Sequence, residues 1–357
     1  MSQYQPTILD RNTGPLGYGL MGLTWRPQPP SFEDSIPVMK RALELGADNW
    51  NGGEFYGPPD RNSMHLLKEY FTQYPDDADK VILCIKGGGL PDGTPMPDSS
   101  PENIHRSVDT CLDHLKDTSK KTIDIFECAR VDPKRGNEQA LEVLAEYVKA
   151  GKLGGIGLSE VSAKTIRASQ KKVKELGLPG VTSVEIELSL WTPDVLYNGI
   201  LAACAEENIP VFAYSPLARG ALSDNPIRKT SDLPEGDMRR HLPKYQDDVL
   251  AVNNQITDAA SEIAKNHGST TAQIAIAWVR GQSGRTRIVG SEDGSKKEMK
   301  MPTVIPIPGA SSIKRVEENL KDVVLSEEEL KKLDELVEKF PTKGDRYHEG
   351  GMKVVNG

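Results

Sequence analysis

The chain has little cysteine, no surplus of positive charge and no long apolar run. Its four cysteines, Cys84, Cys111, Cys128 and Cys204, are too far apart for a CxxC pair. The usual zinc and thiol-redox motifs are therefore missing, and no metal is expected. Their apolar neighbours read as buried thiols in a reducing compartment. Lys and Arg total 44 against 52 Asp and Glu, a net charge of -8, so a nucleic-acid-binding surface is not expected. The short basic cluster of Lys296, Lys297 and Lys300 reads as a solvated loop. No apolar stretch approaches the roughly 20 residues of a membrane span, and the opening MSQYQPTILDR is no secretory signal. A soluble cytoplasmic protein acting on small molecules is the expectation.

Short β-rich runs alternate with longer helical patterns. Strands are expected near Leu16–Met21, Asp48–Asn51, Lys80–Lys86, Ile123–Cys128, Gly155–Leu158, Ser183–Leu188, Val211–Tyr214 and Val304–Ile307. Helical patterns between them include Phe32–Gly46, with Ser31 as N-cap, and Pro101–Leu115, with proline at the first helical position. Further patterns cover Glu138–Gly151 and Val161–Glu175. Eight such units fit an α/β fold of the (β/α)8-barrel type with long loops at the C-terminal face. Barrels of this length form one domain, here residues 1–357, with a core of about 14–336 and a tail of 337–357. Two long stretches break the rhythm. Ala218–Tyr245 reads as a flap for cofactor or substrate. Gly281–Pro302 reads as an irregular, inert insertion on the face away from the active site.

Residues Gly17 to Gly22 match GxGxxG, but prolines follow closely, at Pro27, Pro29 and Pro30. A Rossmann fingerprint needs a helix opening at its third glycine, and prolines forbid a continuing one. The segment therefore reads as strand and loop, so any nicotinamide cofactor is bound by another device.

Barrel chemistry collects where strands end. The second strand runs into Trp50-Asn51-Gly52-Gly53-Glu54-Phe55-Tyr56, and the third ends at Lys86. A phenol titrates near ~10, and an adjacent ammonium lowers that value. Tyr56 beside Lys86 can then give a proton to a developing alkoxide while a cofactor delivers hydride. Taken singly, Tyr56 also reads as a loop cap and Lys86 as a solvated strand end. Loops after the seventh and eighth strands are the usual phosphate site of barrels. Here Tyr214 offers a stacking face. Ser311 opens a helix carrying Lys314, Arg315, Glu318 and Asn319, where a phosphate would gain charge-assisted bonds. An ordinary capped helix with a charged face is the alternative. Trp25, Phe55, Ala129 and Trp191 are candidate pocket walls.

Six segments in order, GGEFYG (52–57), IKGG (85–88), GKLGGIGLSE (151–160), VEIELSLW (184–191), YSPLARGAL (214–222) and IPIPGASSIKRVEENL (305–320), resemble the aldo-keto reductase signatures. The resemblance implies a (β/α)8 barrel, a nicotinamide cofactor, NADPH by preference, and a small-molecule carbonyl substrate. It implies Tyr56 as proton donor with Lys86 as partner. Ser159 and Glu185 would touch the carboxamide, and Tyr214 would stack under the ring. Ser215, Leu217, Arg219 and Gly220 would line the pyrophosphate, with Ser311, Arg315, Glu318 and Asn319 at the adenosine end.

The departures are specific. The family's Asp is Asn51 here, its His is Ala129, the Asn after the serine is Glu160, and the Gln of the sixth strand is Glu185. The wording NWNGGEFYG (49–57) and FECAR (126–130), and the tail Arg346-Tyr347-His348, are similar to the fungal pyridoxal reductase branch. Pyridoxal to pyridoxine is the implied reaction. A ketone or imine reductase of secondary metabolism and a cofactor-binding regulatory subunit are the alternatives. With Asn51 in place of the acid, Lys86 needs another carboxylate to stay charged. Glu127, inward-facing on the fourth strand, is the first candidate and Glu54 the second. Glu185 is expected to be occupied by the carboxamide. Ala129 opens room beside Tyr56 for a bulky ring.

Overall fold

The computed structural model describes residues 5–90, 96–118 and 121–357. Eight parallel strands run in sequence order round one sheet: β1 (Tyr18–Gly19), β2 (Asn49–Gly53), β3 (Ile82–Gly87), β4 (Ile123–Cys128), β5 (Leu153–Ser159), β6 (Ser183–Glu187), β7 (Val211–Tyr214) and β8 (Val304–Pro306). Backbone bonds from Gly17 N to Pro306 O (2.9 Å) and a parallel bridge between Gly19 and Gly309 join β1 to β8 and close the barrel. All eight strands lie where the alternation places them, although β1 is only two residues long.

The GxGxxG segment now has a physical reason unrelated to a dinucleotide. A Cβ on Gly17 would come within 2.7 Å of Asn49 O, and one on Gly19 within 2.9 Å of Ile307 O. Glycine lets the first strand approach its neighbours closely enough to complete the ring. A single helical turn, Met21–Thr24, forms before the prolines and stops there.

The helices α1 (Phe32–Glu44), α2 (Ser63–Gln73), α3 (Pro101–Leu115), α4 (Glu138–Lys149), α5 (Ala163–Glu175) and α6 (Ile200–Glu206) follow the first six strands. Then come α7 (Asp247–His267), α8 (Thr271–Arg280), α9 (Ile313–Asn319) and α10 (Glu327–Lys339). Ser31 caps α1 by accepting from Asp34 N at 3.0 Å, and Glu33 and Asp34 complement the dipole of the first turn. The apolar faces of the helices and the outward strand residues form the main core. A second, smaller cluster fills the barrel: Ile8, Ile82, Cys84, Ile125, Phe212, Ile305 and Ile307. Ile8 comes from an N-terminal hairpin, Thr7–Ile8 with Arg11–Asn12. It seals the floor, so the interior opens only at the strand ends.

Residues 218–245 are not shapeless. They form short 3-10 turns tied to each other and to the barrel, with Tyr245 Oη donating to Ala218 O (2.7 Å) and Arg239 to Arg219 O (2.6 Å). The insertion read as irregular and remote is an antiparallel hairpin, Thr286–Gly290 with Lys296–Lys300. Its tip reaches the upper end of the helical ring. There Glu292 accepts from Lys164 N (3.0 Å), in the first turn of α5, and pairs with Arg167 (2.6 Å). Its Gly/Ser/Lys composition hid the strands because an exposed two-stranded ribbon needs little apolar alternation.

Candidate active site

Strand alternation dictates which side chains meet at the mouth. Next to the apolar cluster of Ile82, Cys84, Ile125 and Phe212, inward positions bring together Asn51 on β2, Lys86 on β3, Glu127 on β4 and Glu185 on β6. They form one buried group. Lys86 Nζ stands 3.0 Å from Glu127 Oε1, in contact with Glu185 Oε2, and donates to Asn51 Oδ1 at 3.1 Å. Asn51 Nδ2 donates to the same Glu185 oxygen at 2.5 Å.

Burial works against the charge on Lys86, but the two carboxylates outweigh it and hold the ammonium well above its ordinary range. The cost falls on Glu127. Burial, reinforced by the like charge of Glu185 and opposed by Lys86, lifts its carboxyl to about 8. With its carboxyl lifted to about 8, Glu127 is harder to ionise than an exposed carboxyl, and the two acids share one ammonium. Glu127 partners Lys86 as the sequence suggests. Glu54 does not; it accepts from Arg106 (3.2 Å) and Ser107 (2.7 Å). Glu185 is a second partner of Lys86 that the sequence does not suggest: its Oε2 meets Lys86 Nζ and accepts from Asn51 across the barrel.

Tyr56 hangs over this cluster, with Lys86 Nζ 5.9 Å from its ring centre. The short loop that carries it is pinned by Thr24 Oγ1 and Ser63 N, which both donate to Tyr56 O (2.6 and 3.0 Å). Its ring stacks on Trp25 (5.7 Å), meets Phe55 edge-on (5.3 Å) and packs with Ala129. The expected lowering of the phenol is not the net result. Burial raises it, Lys86 lowers it, and Glu185 and Glu127 raise it further, so Tyr56 stays a neutral acid. Trp25, Phe55 and Ala129 thus surround Tyr56. Trp191 lies elsewhere, fully buried, its Nε1 donating to Thr257 (2.9 Å).

The opposite side of the mouth holds a second charged group that sequence reading missed. Glu160, at a left-handed φ of 52°, accepts bidentately from Arg346 of the C-terminal tail at 3.0 and 2.7 Å. Tyr214 Oη donates to the same carboxylate (2.8 Å) and meets Tyr347 Oη at 3.2 Å. Burial would raise Glu160, but the Arg346 guanidinium more than compensates and holds it below the usual range. Arg219 stacks on Tyr347 (4.7 Å) and stands 3.7 Å from Glu187. Backbone bonds between Gly357 and residues Glu160 and Ser162 fasten the end of the chain.

Of the residues expected around a cofactor, Ser159 is buried with its Oγ free of any hydrogen-bond partner, as a carboxamide contact requires. Ser215 and Gly220 take left-handed backbone angles on either side of Leu217. Ser311 accepts from Arg26 (3.1 Å), and Ser312 caps α9. Lys314 and Arg315 are exposed on α9, without an ion pair among the described residues, whereas Glu318 is half-buried and Asn319 buried. These groups fit a phosphate-bearing nicotinamide cofactor at the strand-seven and strand-eight loops.

The aldo/keto reductase family profile matches residues 15–338. A probable pyridoxal reductase 2 from Schizosaccharomyces pombe is 34% identical over 351 residues, covering 96% of this chain and 97% of its own. A putative pyridoxal reductase from Saccharomyces cerevisiae is 34% identical over 349 residues, covering 93% and 95%. A glycerol dehydrogenase from Gluconobacter oxydans shares the fold at a TM-score of 0.76 with 20% identity, covering 96% of each chain. No helix among the described residues is long and apolar enough to cross a membrane. The chain belongs to the aldo/keto reductase family, and is an oxidoreductase acting on a carbonyl substrate through a (β/α)8 barrel.

Proposed function

We propose that the protein reduces an aldehyde to an alcohol with NADPH, and that pyridoxal, giving pyridoxine, is its substrate. The observation that carries the reading is the buried ammonium of Lys86 beneath Tyr56, kept charged by Glu127 and Glu185 although the family's aspartate is Asn51. Tyr56 is neutral at rest and so has a proton to give. As the carbonyl oxygen becomes an alkoxide, the Tyr56 O–H bond breaks, the alcohol O–H forms, and Lys86 stabilises the phenolate left behind.

Ser159 would hold the carboxamide and Tyr214 the ring face. Ser215, Leu217, Arg219 and Gly220 would border the pyrophosphate, and Ser311, Arg315, Glu318 and Asn319 the adenosine end. A reduced nicotinamide held by these residues would supply the hydride that the carbonyl carbon takes up. Lys314 and Arg315, exposed and without an ion pair among the described residues, favour a 2′-phosphate and hence NADPH. Ala129 beside Tyr56 leaves space for a substituted aromatic ring, and the two fungal relatives named as pyridoxal reductases agree with a pyridine aldehyde. NADPH consumption over an aldehyde panel, with pyridoxine identified as product, tests the reading. Binding of NADPH without oxidation by any aldehyde would instead fit a regulatory subunit.

A further inference from the structure

The mouth of the barrel holds three guanidinium groups and two carboxylates that face them. Arg346 is taken up by Glu160 and also lies 3.5 Å from Glu187. Arg219 is drawn to Glu187 and to the face of Tyr347. Arg130 is the third. It follows Ala129 at the end of β4, directly beside the Tyr56 and Phe55 cluster. Its one hydrogen bond is from Nη1 to the carbonyl of Ala129 at 2.5 Å, which folds the guanidinium back over the strand end. Among the described residues no carboxylate stands within ion-pair distance of it. Among the described residues the remaining N–H groups of its fork have no protein partner.

Arg130 is half-buried, and a cation withdrawn from water ordinarily has an anionic partner. Here the neighbouring acids are spent on other arginines, so this part of the mouth carries an unmatched positive charge. Glu160, Tyr214, Tyr347 and Tyr56 all lie within its electrostatic reach, at the same mouth.

We propose that Arg130 is a specificity-determining residue that binds an anionic oxygen of the substrate, so that the preferred substrates are aldehydes bearing a carboxylate, phosphate or ionised ring hydroxyl. This rests on the reading of Tyr56 as the proton donor. Pyridoxal, with an acidic hydroxyl beside its aldehyde, falls within the class. The planar fork matches such a group through two parallel bonds, which a lysine cannot reproduce.

The test compares meta- and para-carboxybenzaldehyde with their neutral carboxamide counterparts in the wild type, Arg130→Lys and Arg130→Met, alongside a direct titration with NADPH. The wild type is expected to favour the carboxylates in kcat/KM by about tenfold or more, the discrimination of a charged hydrogen bond. The ratio should fall to about one in Arg130→Met and keep part of its value in Arg130→Lys. An equal ratio in wild type and Arg130→Met overturns the proposal. So does a loss of NADPH affinity in Arg130→Met as large as the loss in carboxylate preference, since the guanidinium then serves the cofactor. Binding of para-(hydroxymethyl)benzoate, followed by the fluorescence of Trp25 against Tyr56, separates the two readings. Arg130-dependent binding without turnover of any aldehyde refutes the reductase reading and supports this one. Binding indifferent to Arg130→Met refutes this one alone.

Discussion

Replacing both glutamates beside Lys86 is expected to cost much more than the two single replacements summed. Glu127 and Glu185 approach the same ammonium, and burial, reinforced by the nearby Glu185, lifts the Glu127 carboxyl to about 8, which favours its neutral form. Glu127→Gln therefore exchanges one neutral group for another of the same shape, and should cost about 1 kcal/mol or less. Glu185→Gln removes the like charge that helped keep Glu127 protonated, so Glu127 ionises and takes over, again at a cost of about 1 kcal/mol. In the double variant the ammonium is buried with amides only. Breaking a buried pair so that one charge is stranded costs about 3–5 kcal/mol. The coupling term should thus be on the order of 1–3 kcal/mol, of the size seen for groups in one network. Urea denaturation of the four proteins at neutral pH measures it. Additive effects within a few tenths of a kcal/mol would refute the sharing of one charge by two acids.

Three further outcomes follow from particular contacts. Because the folded state raises Glu127 to about 8, it binds more protons than the unfolded chain between about pH 4.5 and 8. The stability of the wild type relative to Glu127→Gln should therefore fall as pH rises through that window, and a flat or rising difference would contradict the assignment. Arg346→Gln leaves Glu160 buried without its bidentate partner and should destabilise the protein by about 3–5 kcal/mol. Glu160→Gln combined with Arg346→Gln should recover part of that loss in the same denaturation assay. Replacing Lys314 and Arg315 together by alanine should weaken NADPH more than NADH in a direct titration, and an equal effect on both would place the 2′-phosphate elsewhere.

Much of the catalytic layer was legible from the sequence because strand alternation fixes which residues point inward. Asn51, Lys86 and Glu127 are separated by whole strand-helix units, yet each sits at an inward position near a strand end. The contact of Glu185 with Lys86 was not foreseen because neighbours across the barrel depend on register and shear, which no local pattern encodes. The same limit applies to Arg346 and Tyr347. Their partners Glu160 and Tyr214 are more than a hundred residues away, and the tail has no periodicity of its own. The expected lowering of Tyr56 considered only the nearby ammonium, whereas burial of the phenol proved the larger effect. Trp191 looked like a pocket wall because it ends a strand-six signature, but a hydrogen bond to Thr257 turns its indole into the core.

The most direct test of the account is the turnover of Tyr56→Phe, with NADPH binding measured on the same sample. The substitution keeps the ring against Trp25 and Phe55 and removes only the proton donor. Loss of a general acid lowers rate by about 10²–10⁴-fold, so the account predicts a fall of that size with NADPH affinity retained. Near-full turnover of the best aldehyde by Tyr56→Phe would contradict it.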